Sequence, residues 1–386
     1  MYRLLRPLLF RLDAESAHAA TLRWAGRLQQ MGLGPVASWY GFEDQRLQQT
    51  LWGLRFPNPV GLAAGADKNI RHVPFWTAIG CGFVEGGSVS AQPASGNPQP
   101  RAFRLPDDDA IINRMGLNND GAEAVAAHVR TERERFTRPL GINLAKTHSP
   151  DIMGTAALED FRSSFRMLAP LAGYIALNVS CPNTREGKTF EAPDALDALL
   201  GMIMEERKTP ERRVPVLIKL SPPLTPRVVF DTALEELIAV AESHDVDGYI
   251  ATNTAADRAG LTTDAATLAA IGPGGLSGPP LAARSNQLIR YLYRATGGAT
   301  PIIGVGGVDS AAAAYDKIAA GASLVQCYTG LVYQGPGLIK SIKEGLVEHL
   351  KRDGFASIQD AVGHAVHAAE ARGDAWRQPQ TARAAS

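Results

Sequence analysis

The sequence predicts an α/β protein, a TIM (β/α)8 barrel with an N-terminal extension made of a pair of helices. Three observations predict this fold class. Eight short β-rich runs alternate with helical patterns, as in barrels built from βα units. Nearly every run ends in glycine or a polar side chain, at the strand end where such barrels bind ligands. The runs start only after an N-terminal segment with its own helical periodicity.

The composition is that of a soluble globular protein. The chain has 386 residues, 45% hydrophobic and 20% charged, enough for one large domain with an appendage. A formal net charge of zero gives no argument for a nucleic-acid partner. Three widely spaced cysteines predict a reducing compartment, and the scattered histidines predict no metal site. The long uncharged stretches 265–283 and 318–339 are interrupted by glycine, proline or glutamine, so we expect neither to span a membrane.

Residues 1–31 are predicted to form two amphipathic helices. Their apolar stripes are Leu4, Leu5, Leu8, Leu9 and Leu12 in the first helix and Ala17, Ala20, Trp24, Leu28 and Met31 in the second. Asp13 is placed to cap the second helix, and Gly32, Gly34 and Pro35 follow its end. Five arginines against two acidic residues are typical of a hairpin that lies on a membrane surface. The alternative is a helical pair packed on the main domain with solvated arginines.

The predicted strands account for most of the remaining chain. They are residues 59–63, 83–86, 140–144, 174–178, 216–219, 248–252, 301–304 and 324–328. Helical patterns such as 161–169 and 228–243 separate most of them. A doubly wound open sheet is the alternative, but it requires a glycine-rich fingerprint after an early strand, which the first run lacks. We expect an extension over residues 1–40, the barrel over 41–366 and a disordered tail over 367–386.

The stretch from Asn178 to Thr184 carries the most chemistry. It follows a buried strand, holds two carboxamides and the thiol of Cys181, and contains a proline that stops the strand. Because ligands bind at this end of parallel strands, we predict that the stretch grips a planar substrate and supplies its general base.

Glycines at a later strand end predict a phosphate site. Residues 304–307 read GVGG and are followed by Asp309 and Ser310, at the start of a predicted helix. A plain tight turn is the alternative. No acidic pair stands at the strand ends, which argues against glycosidase chemistry, and Asp67 is expected to be structural.

Lys219 is predicted to be a buried cation at a strand end. It either forms a Schiff base or places positive charge beside a flavin. Asparagines at or near these strand ends are Asn113, Asn143, Asn178, Asn183 and Asn253. Carboxamides both donate and accept, which suits a pyrimidine or an isoalloxazine ring and favours the flavin interpretation.

Several segments resemble motifs of the dihydroorotate dehydrogenase family. They are residues 61–69, 113–116, 178–184, 251–254, 275–278 and 304–307, which read GLAAGADKN, NRMG, NVSCPNT, ATNT, GLSG and GVGG. The resemblance runs from about Tyr2 to Gly363. The helical pair and the dipeptide Asn113-Arg114 resemble class 2 of the family, which is membrane-associated and uses quinone.

The resemblance implies an activity and its partners. The expected reaction is oxidation of dihydroorotate to orotate in pyrimidine biosynthesis, with one FMN per chain as hydride acceptor and a membrane quinone that reoxidises it. The expected protein is a monomer, held on the cytoplasmic side of the inner membrane through residues 1–31.

The resemblance also implies site residues. FMN is expected to contact Ala64, Gly65, Ala66, Asp67, Lys68, Ser88, Asn143, Asn178, Lys219, Thr252, Gly278, Gly306, Gly307, Tyr328 and Thr329. The substrate is expected to contact Lys68, Asn113, Arg114, Met115, Gly116, Leu117, Asn178, Asn183, Asn253 and Thr254. A quinone tunnel is expected along His18, Arg104 and Tyr328, although Arg104 also has the sequence context of a surface arginine.

Two positions depart from the class 2 pattern. Cys181 stands where that class has a serine base, and Leu117 where it has phenylalanine, and both look like the cytosolic class 1 enzymes. A thiol has an unperturbed pKa of about 8.5, so we expect less dependence on a proton relay through Thr184. A soluble enzyme using fumarate or NAD is therefore an alternative. From other classes, a Schiff-base aldolase or a non-catalytic phosphate-binding barrel also remains.

Overall fold

The computed structural model of the protein describes residues 2–180, 190–223 and 232–371. The strands are β1 (Gln49–Leu51), β2 (Leu54–Phe56), β3 (Val60–Leu62), β4 (Phe83–Val89), β5 (Ala102–Leu105), β6 (Ala110–Asn113), β7 (Leu140–Leu144), β8 (Tyr174–Asn178), β9 (Val216–Leu220), β10 (Gly248–Ala251), β11 (Gly275–Ser277), β12 (Ile302–Val305) and β13 (Leu324–Cys327). The helices are α1 (Tyr2–Leu9), α2 (Ala14–Met31), α3 (Gly34–Tyr40), α4 (Val73–Ala78), α5 (Ala122–Glu132), α6 (Thr155–Leu168), α7 (Pro193–Arg207), α8 (Thr232–Ser243), α9 (Ala265–Ile271), α10 (Ala282–Ala295), α11 (Ala311–Ala319), α12 (Thr329–Gln334), α13 (Leu338–Asp353), α14 (Ile358–Ala361) and α15 (His364–Ala371).

Eight of the strands form a closed parallel barrel, which confirms the predicted TIM barrel. Its order is β3, β4, β7, β8, β9, β10, β12 and β13, and β13 closes the ring by pairing with β3. Each predicted run overlaps one of these strands. Strands β7 and β9 are buried along their whole length, because barrel strands face the interior on one side and helices on the other.

The lower part of the barrel interior is a packed apolar core. The β1–β2 hairpin inserts Phe56 against Phe83, with 5.5 Å between the ring centroids, and Trp52 lies 5.9 Å from Tyr174. These side chains belong to one buried cluster with Leu217, Ile250 and Ile303. Because that end is filled, the space for a ligand lies at the C-terminal ends of the strands.

A second sheet covers part of the open end and was not predicted. The antiparallel strands β5, β6 and β11 form it, and it carries Arg104 and Asn113. The residues of β11 come from a glycine- and proline-rich stretch that looks like a loop in the sequence. Long-range pairing of Leu276 with Ile112 creates the strand.

The N-terminal extension begins with the two predicted helices. Asp13 caps α2 as predicted, because its carboxylate accepts a hydrogen bond from Ser16 N at 2.9 Å. The helix ends at Met31, where Gly32 takes a φ of 102°. A third helix, α3, follows and was not predicted, with Pro35 in its first turn. Within the parts of the chain that the structure describes, no helix has the length and hydropathy needed to cross a bilayer.

Candidate active site at the open end of the barrel

A cavity of about 310 Å³ lies between the barrel mouth and the N-terminal helices. Its barrel side is polar, and it is lined there by Lys68, Ser88, Asn113, Asn178, Lys219, Asn253 and Thr254. Its other side is mostly apolar, and it is lined there by Tyr2, Leu9, Phe10, Ala14, Ala17, Leu331 and Val332. Met115, Gly116 and Leu117 also contribute to the lining. One cavity therefore joins a carboxamide-rich end to an apolar passage.

A smaller cavity of about 80 Å³ adjoins the first. It is lined by the predicted phosphate loop and its neighbours, among them Thr252, Gly278, Gly306, Gly307, Gln326, Tyr328 and Thr329. The hydroxyl groups of Ser277 and Thr329 lie 2.8 Å apart and hydrogen-bond each other. Ser310, singled out in the same loop, caps α11 instead, since its Oγ accepts from Ala313 N.

Three carboxamides and one hydroxyl, from four strand ends, form one hydrogen-bonded chain. Asn143 Oδ1 accepts from Ser88 Oγ, and Ser88 Oγ accepts from Asn178 Nδ2 at 3.0 Å. Asn253 Nδ2 then donates to Asn178 Oδ1 at 3.1 Å and to Ser180 O at 3.0 Å. The structure thus brings together predicted residues that are far apart in sequence.

Lys219 reaches the cavities from below and pairs with an acid that the sequence analysis missed. Its Nζ lies 3.5 Å from Glu85 Oε1, and both side chains are buried. The available signal was the charge itself, because Glu85 stands inside a predicted strand that is otherwise apolar or glycine. A buried charge of this kind needs a partner.

Lys68 and His18 face the same cavity from opposite sides. Burial lowers the pKa of Lys68 to about 8, and nearby Arg101 adds to the effect. Burial also lowers the pKa of His18 to about 4, with a further contribution from Lys68. His18 packs edge-on against Tyr328, with 6.2 Å between the ring centroids. At neutral pH the cavity is therefore lined by a lysine that is mostly cationic and by a neutral imidazole.

A second missed pair links α2 to the barrel loops. The guanidinium of Arg101 binds Glu15 in a bidentate manner, with Nη2 2.7 Å from Oε1 and Nε 3.1 Å from Oε2. Its Nη1 donates to the carbonyls of Ser95 and Asn97 at 2.7 and 2.9 Å. Asn97 in turn donates to Arg114 O at 2.9 Å. Arg101 thereby ties the helical layer, which consists of α1, α2 and α3, to the loop beside the predicted substrate residues.

Arg104 belongs to the helical layer as well. Its guanidinium stacks over Phe10, 4.4 Å from the ring centroid, and donates to the carbonyls of Leu9 and Leu12 in the α1–α2 turn. It also lines the larger cavity. Arg104 is therefore a contact between the extension and the β5 strand.

Two predicted site residues have their polar groups engaged by the protein. Arg114 donates to Ile271 O at 2.6 Å and to Pro273 O at 3.0 Å. The carboxylate of Asp67 accepts from the backbone N–H groups of Arg71 and His72 at 2.9 and 2.7 Å. These contacts agree with a structural role for the Asp67 carboxylate. They also indicate that the Arg114 side chain holds the loop around Pro273.

Three predicted site residues, Cys181, Asn183 and Thr184, lie outside the described residues. The preceding Ser180 is buried, and its Oγ donates to Lys219 O at 2.7 Å. Across residues 2–180, 190–223 and 232–371, no group of histidine, cysteine, aspartate and glutamate side chains could hold a metal ion.

The fold and the site define a class of protein, a TIM-barrel enzyme with a polar ligand cavity beneath an apolar helical layer. A family model described as dihydroorotate dehydrogenase matches residues 46–350. The chain belongs to the dihydroorotate dehydrogenase family, which confirms the predicted resemblance.

Curated relatives agree with this assignment. A protein of Natronomonas pharaonis is 43% identical over 365 residues, covering 94% of this chain and 99% of the relative. One of Chloroflexus aurantiacus is 44% identical over 359 residues, covering 90% and 96%. Both are named dihydroorotate dehydrogenase (quinone). A crystal structure of DHODH from Eimeria tenella in complex with ferulenol superimposes with a TM-score of 0.82 at 31% identity, covering 93% of this chain and 98% of that one.

Proposed function

We propose that this protein oxidises dihydroorotate to orotate in pyrimidine biosynthesis, with FMN as hydride acceptor and a membrane quinone as the final oxidant. The observation that carries the proposal is the cavity that is polar at the barrel mouth and apolar beneath α1 and α2. The polar end suits a small planar carboxylate, and the apolar end suits a quinone. Relatives whose name includes both the dehydrogenase activity and quinone match nearly the whole chain.

The residues at the barrel mouth fit FMN. Gln326 lines the smaller cavity, and its Oε1 is buried without a partner among the described residues, so it can accept a hydrogen bond from a ligand. A Cβ on Gly65 would meet no protein atom within 4 Å, which leaves room for a ring. Gly306, Gly307 and Thr329 would hold the phosphate. When bound, FMN supplies a two-electron acceptor for hydride.

The substrate residues bind and orient dihydroorotate. Lys68, with a pKa of about 8, is mostly protonated at neutral pH and attracts the substrate carboxylate. Asn113, Asn178 and Asn253 line the same cavity and offer donors and acceptors to the ring. Cys181 removes the proton at C5 in this proposal, and Thr184 relays it. The base thus follows directly after Ser180, which the described structure anchors to β9.

The helical layer admits the quinone and rests on a membrane surface. Exposed apolar residues there include Leu4, Leu5, Leu8, Leu12, Trp24, Met31 and Trp39. An exposed apolar surface of this kind marks an interaction site, and it suits the interfacial region of a bilayer. His18, Arg104 and Tyr328 line the passage beneath it. We include in the proposal peripheral attachment as a monomer on the cytoplasmic side of the inner membrane, and the exposed apolar side chains support the attachment.

Purified protein tests the proposal in one anaerobic experiment. The protein should be yellow and release FMN on denaturation, and dihydroorotate should bleach it. A short-chain quinone should restore the colour, whereas fumarate and NAD should not.

The Cys181→Ser variant should bleach much more slowly at pH 7, and the pH profile of its flavin reduction should move upward, because a hydroxyl is a weaker acid than a thiol. An unmoved profile would refute Cys181 as the base.

A soluble enzyme with the same first half-reaction is the second candidate, favoured by Cys181 and Leu117. Restoration of the colour by fumarate or NAD in place of quinone would establish it. Colourless protein without releasable FMN would overturn the flavin chemistry and point to an aldolase or a phosphate-binding barrel.

A further inference from the structure

Glu85 occupies the centre of the barrel, below both cavities. Its side chain is fully buried on β4. Oε1 accepts from Asn143 Nδ2 at 3.1 Å and faces Lys219 Nζ at 3.5 Å. Oε2 accepts from Gln326 Nε2 at 2.8 Å and from Tyr174 OH at 3.1 Å. Two oxygens that face four donors are the surroundings of an ionised carboxylate, which can only accept.

An acceptor-only group determines which way its amide neighbours turn. Asn143 must present Nδ2 to Glu85, so its Oδ1 faces Ser88 and begins the chain that continues through Asn178. Gln326 must likewise present Nε2, and its Oε1 is left as an acceptor without a partner in the described part of the chain, on the wall of the smaller cavity. One carboxylate thus sets the hydrogen-bonding polarity of two walls of the site.

The same carboxylate holds the cation of the site. Lys219 lines both cavities, and its ammonium faces Glu85 from the layer above. A buried ammonium group needs an opposite charge or hydrogen-bond acceptors close by, and Glu85 supplies them for Lys219. The negative charge of Glu85 also partly compensates the field of that ammonium at the barrel mouth.

We propose that Glu85 is a positioning residue of the flavin site, which orients Lys219, Asn143 and Gln326 and limits the positive field that the bound flavin experiences. This inference rests on the proposed function, since it concerns FMN. It goes beyond that function because Glu85 itself lines neither cavity. It acts through Lys219 and Gln326, which do, and through Asn143, which accepts a hydrogen bond from the lining residue Ser88.

The midpoint potential of bound FMN tests the inference. Glu85→Gln removes one negative charge with little change in volume, so reduced FMN, which gains electron density, should be stabilised relative to oxidised FMN. At an effective dielectric constant near 20, removal of a unit negative charge about 10 Å from the flavin ring favours the reduced form by roughly tenfold. Tenfold corresponds to a rise of about 30 mV for a two-electron couple. The potential is measured by spectroelectrochemistry.

Two further variants complete the test. Tyr174→Phe is the matched control, because it removes a neutral donor to the same carboxylate, and its shift should be much smaller. Glu85→Asp keeps the negative charge but moves it away from Lys219, so the midpoint potential of FMN should rise less than in Glu85→Gln. This variant tests the inference even where Glu85→Gln does not fold.

The outcomes separate this inference from the proposed function. Yellow wild-type protein with an unchanged or lower potential in Glu85→Gln overturns the inference alone. Equal shifts in Glu85→Gln and Tyr174→Phe also overturn it, because the cause would then be a general disturbance of the core. Colourless wild-type protein overturns the proposed cofactor and the inference together.

Discussion

The barrel interior and the N-terminal helical layer meet at one cavity but are built in opposite ways. In the barrel, strands such as β7 and β9 are wholly buried, and the charges of Glu85 and Lys219 face each other. In the helical layer, Leu4 is 80% exposed and Met31 82% exposed, while α2 buries Ala25. The barrel is thus a packed scaffold with a polar mouth, and the helices are an apolar cover.

The attachment of the two regions differs as well. The barrel strands are joined by continuous parallel ladders. The extension is attached without such ladders, by side-chain contacts such as the pairing of Arg101 with Glu15 and the contacts of Arg104 with the α1–α2 turn, and by packing of Ala25 and Leu28 in the main core. Because the described residues of the extension share no ladder with the barrel and several of their apolar side chains are exposed, we expect the helical layer to open at a lower free energy than the barrel does. That difference suits a region that admits a large apolar ligand.

Deleting residues 1–40 breaks the comparison most severely. Turnover with quinone should be lost, because most of the apolar wall of the cavity comes from these residues. Reduction of FMN by dihydroorotate should persist, because Lys219 and the carboxamide chain lie in the barrel. Stopped-flow measurement of both half-reactions checks this expectation. Loss of FMN reduction in a folded deletion variant would show that the two regions are not separable.

Removing the guanidinium that joins the regions should cost stability. Arg101→Ala leaves the partly buried carboxylate of Glu15 and two loop carbonyls without their partner, with an expected loss of about 3 kcal/mol in the free energy of unfolding. Arg71→Ala is the matched control, because its pair with Asp120 is exposed, and it should cost less than about 1 kcal/mol. Urea denaturation measures both. Similar losses would contradict the assigned role of Arg101.

The smallest expected effect concerns His18. Its pKa is about 4 in the folded protein and about 6.5 when unfolded, so the unfolded chain takes up the proton first as pH falls. Stability is therefore fully present above pH 6.5 and declines toward pH 4, by about 2 kcal/mol between pH 7 and pH 5. His18→Gln should remove that part of the pH dependence in denaturation curves. An identical pH dependence in the variant would mean that His18 is not desolvated.

Most of the fold follows from local patterns that the sequence displays directly. The eight barrel strands are apolar runs separated by helical periodicity, and Asp13 and Gly32 mark the ends of α2 by their own conformational preferences. Helix α3, the β1–β2 hairpin and the second sheet of β5, β6 and β11 were missed. A short helix starting at glycine and proline has a weak local signal, and β11 depends on pairing with a partner more than 160 residues away.

The candidate site divides in the same way. Short motifs around Lys68, Asn178 and Gly306 supplied many of the residues that line the cavities, because strand ends of a parallel barrel meet at one face. Asp67, Arg114 and Asn143 were also predicted for the site but are not among the lining residues. Glu85 and Arg101 escaped prediction, because their roles come from partners on other strands and loops. Nothing near Glu85 in the chain indicates Lys219, and nothing near Arg101 indicates Glu15.

The sequence by itself determined the barrel, the family and the chemical character of the strand ends, because these depend on local periodicity and on short motifs. Only the tertiary structure decided how charges are paired, which way the amides turn and where the apolar helices meet the polar mouth. The physical reason is distance along the chain. Closing the ring of eight strands brings Glu85 to Lys219 and Glu15 to Arg101, and these contacts have no local signature.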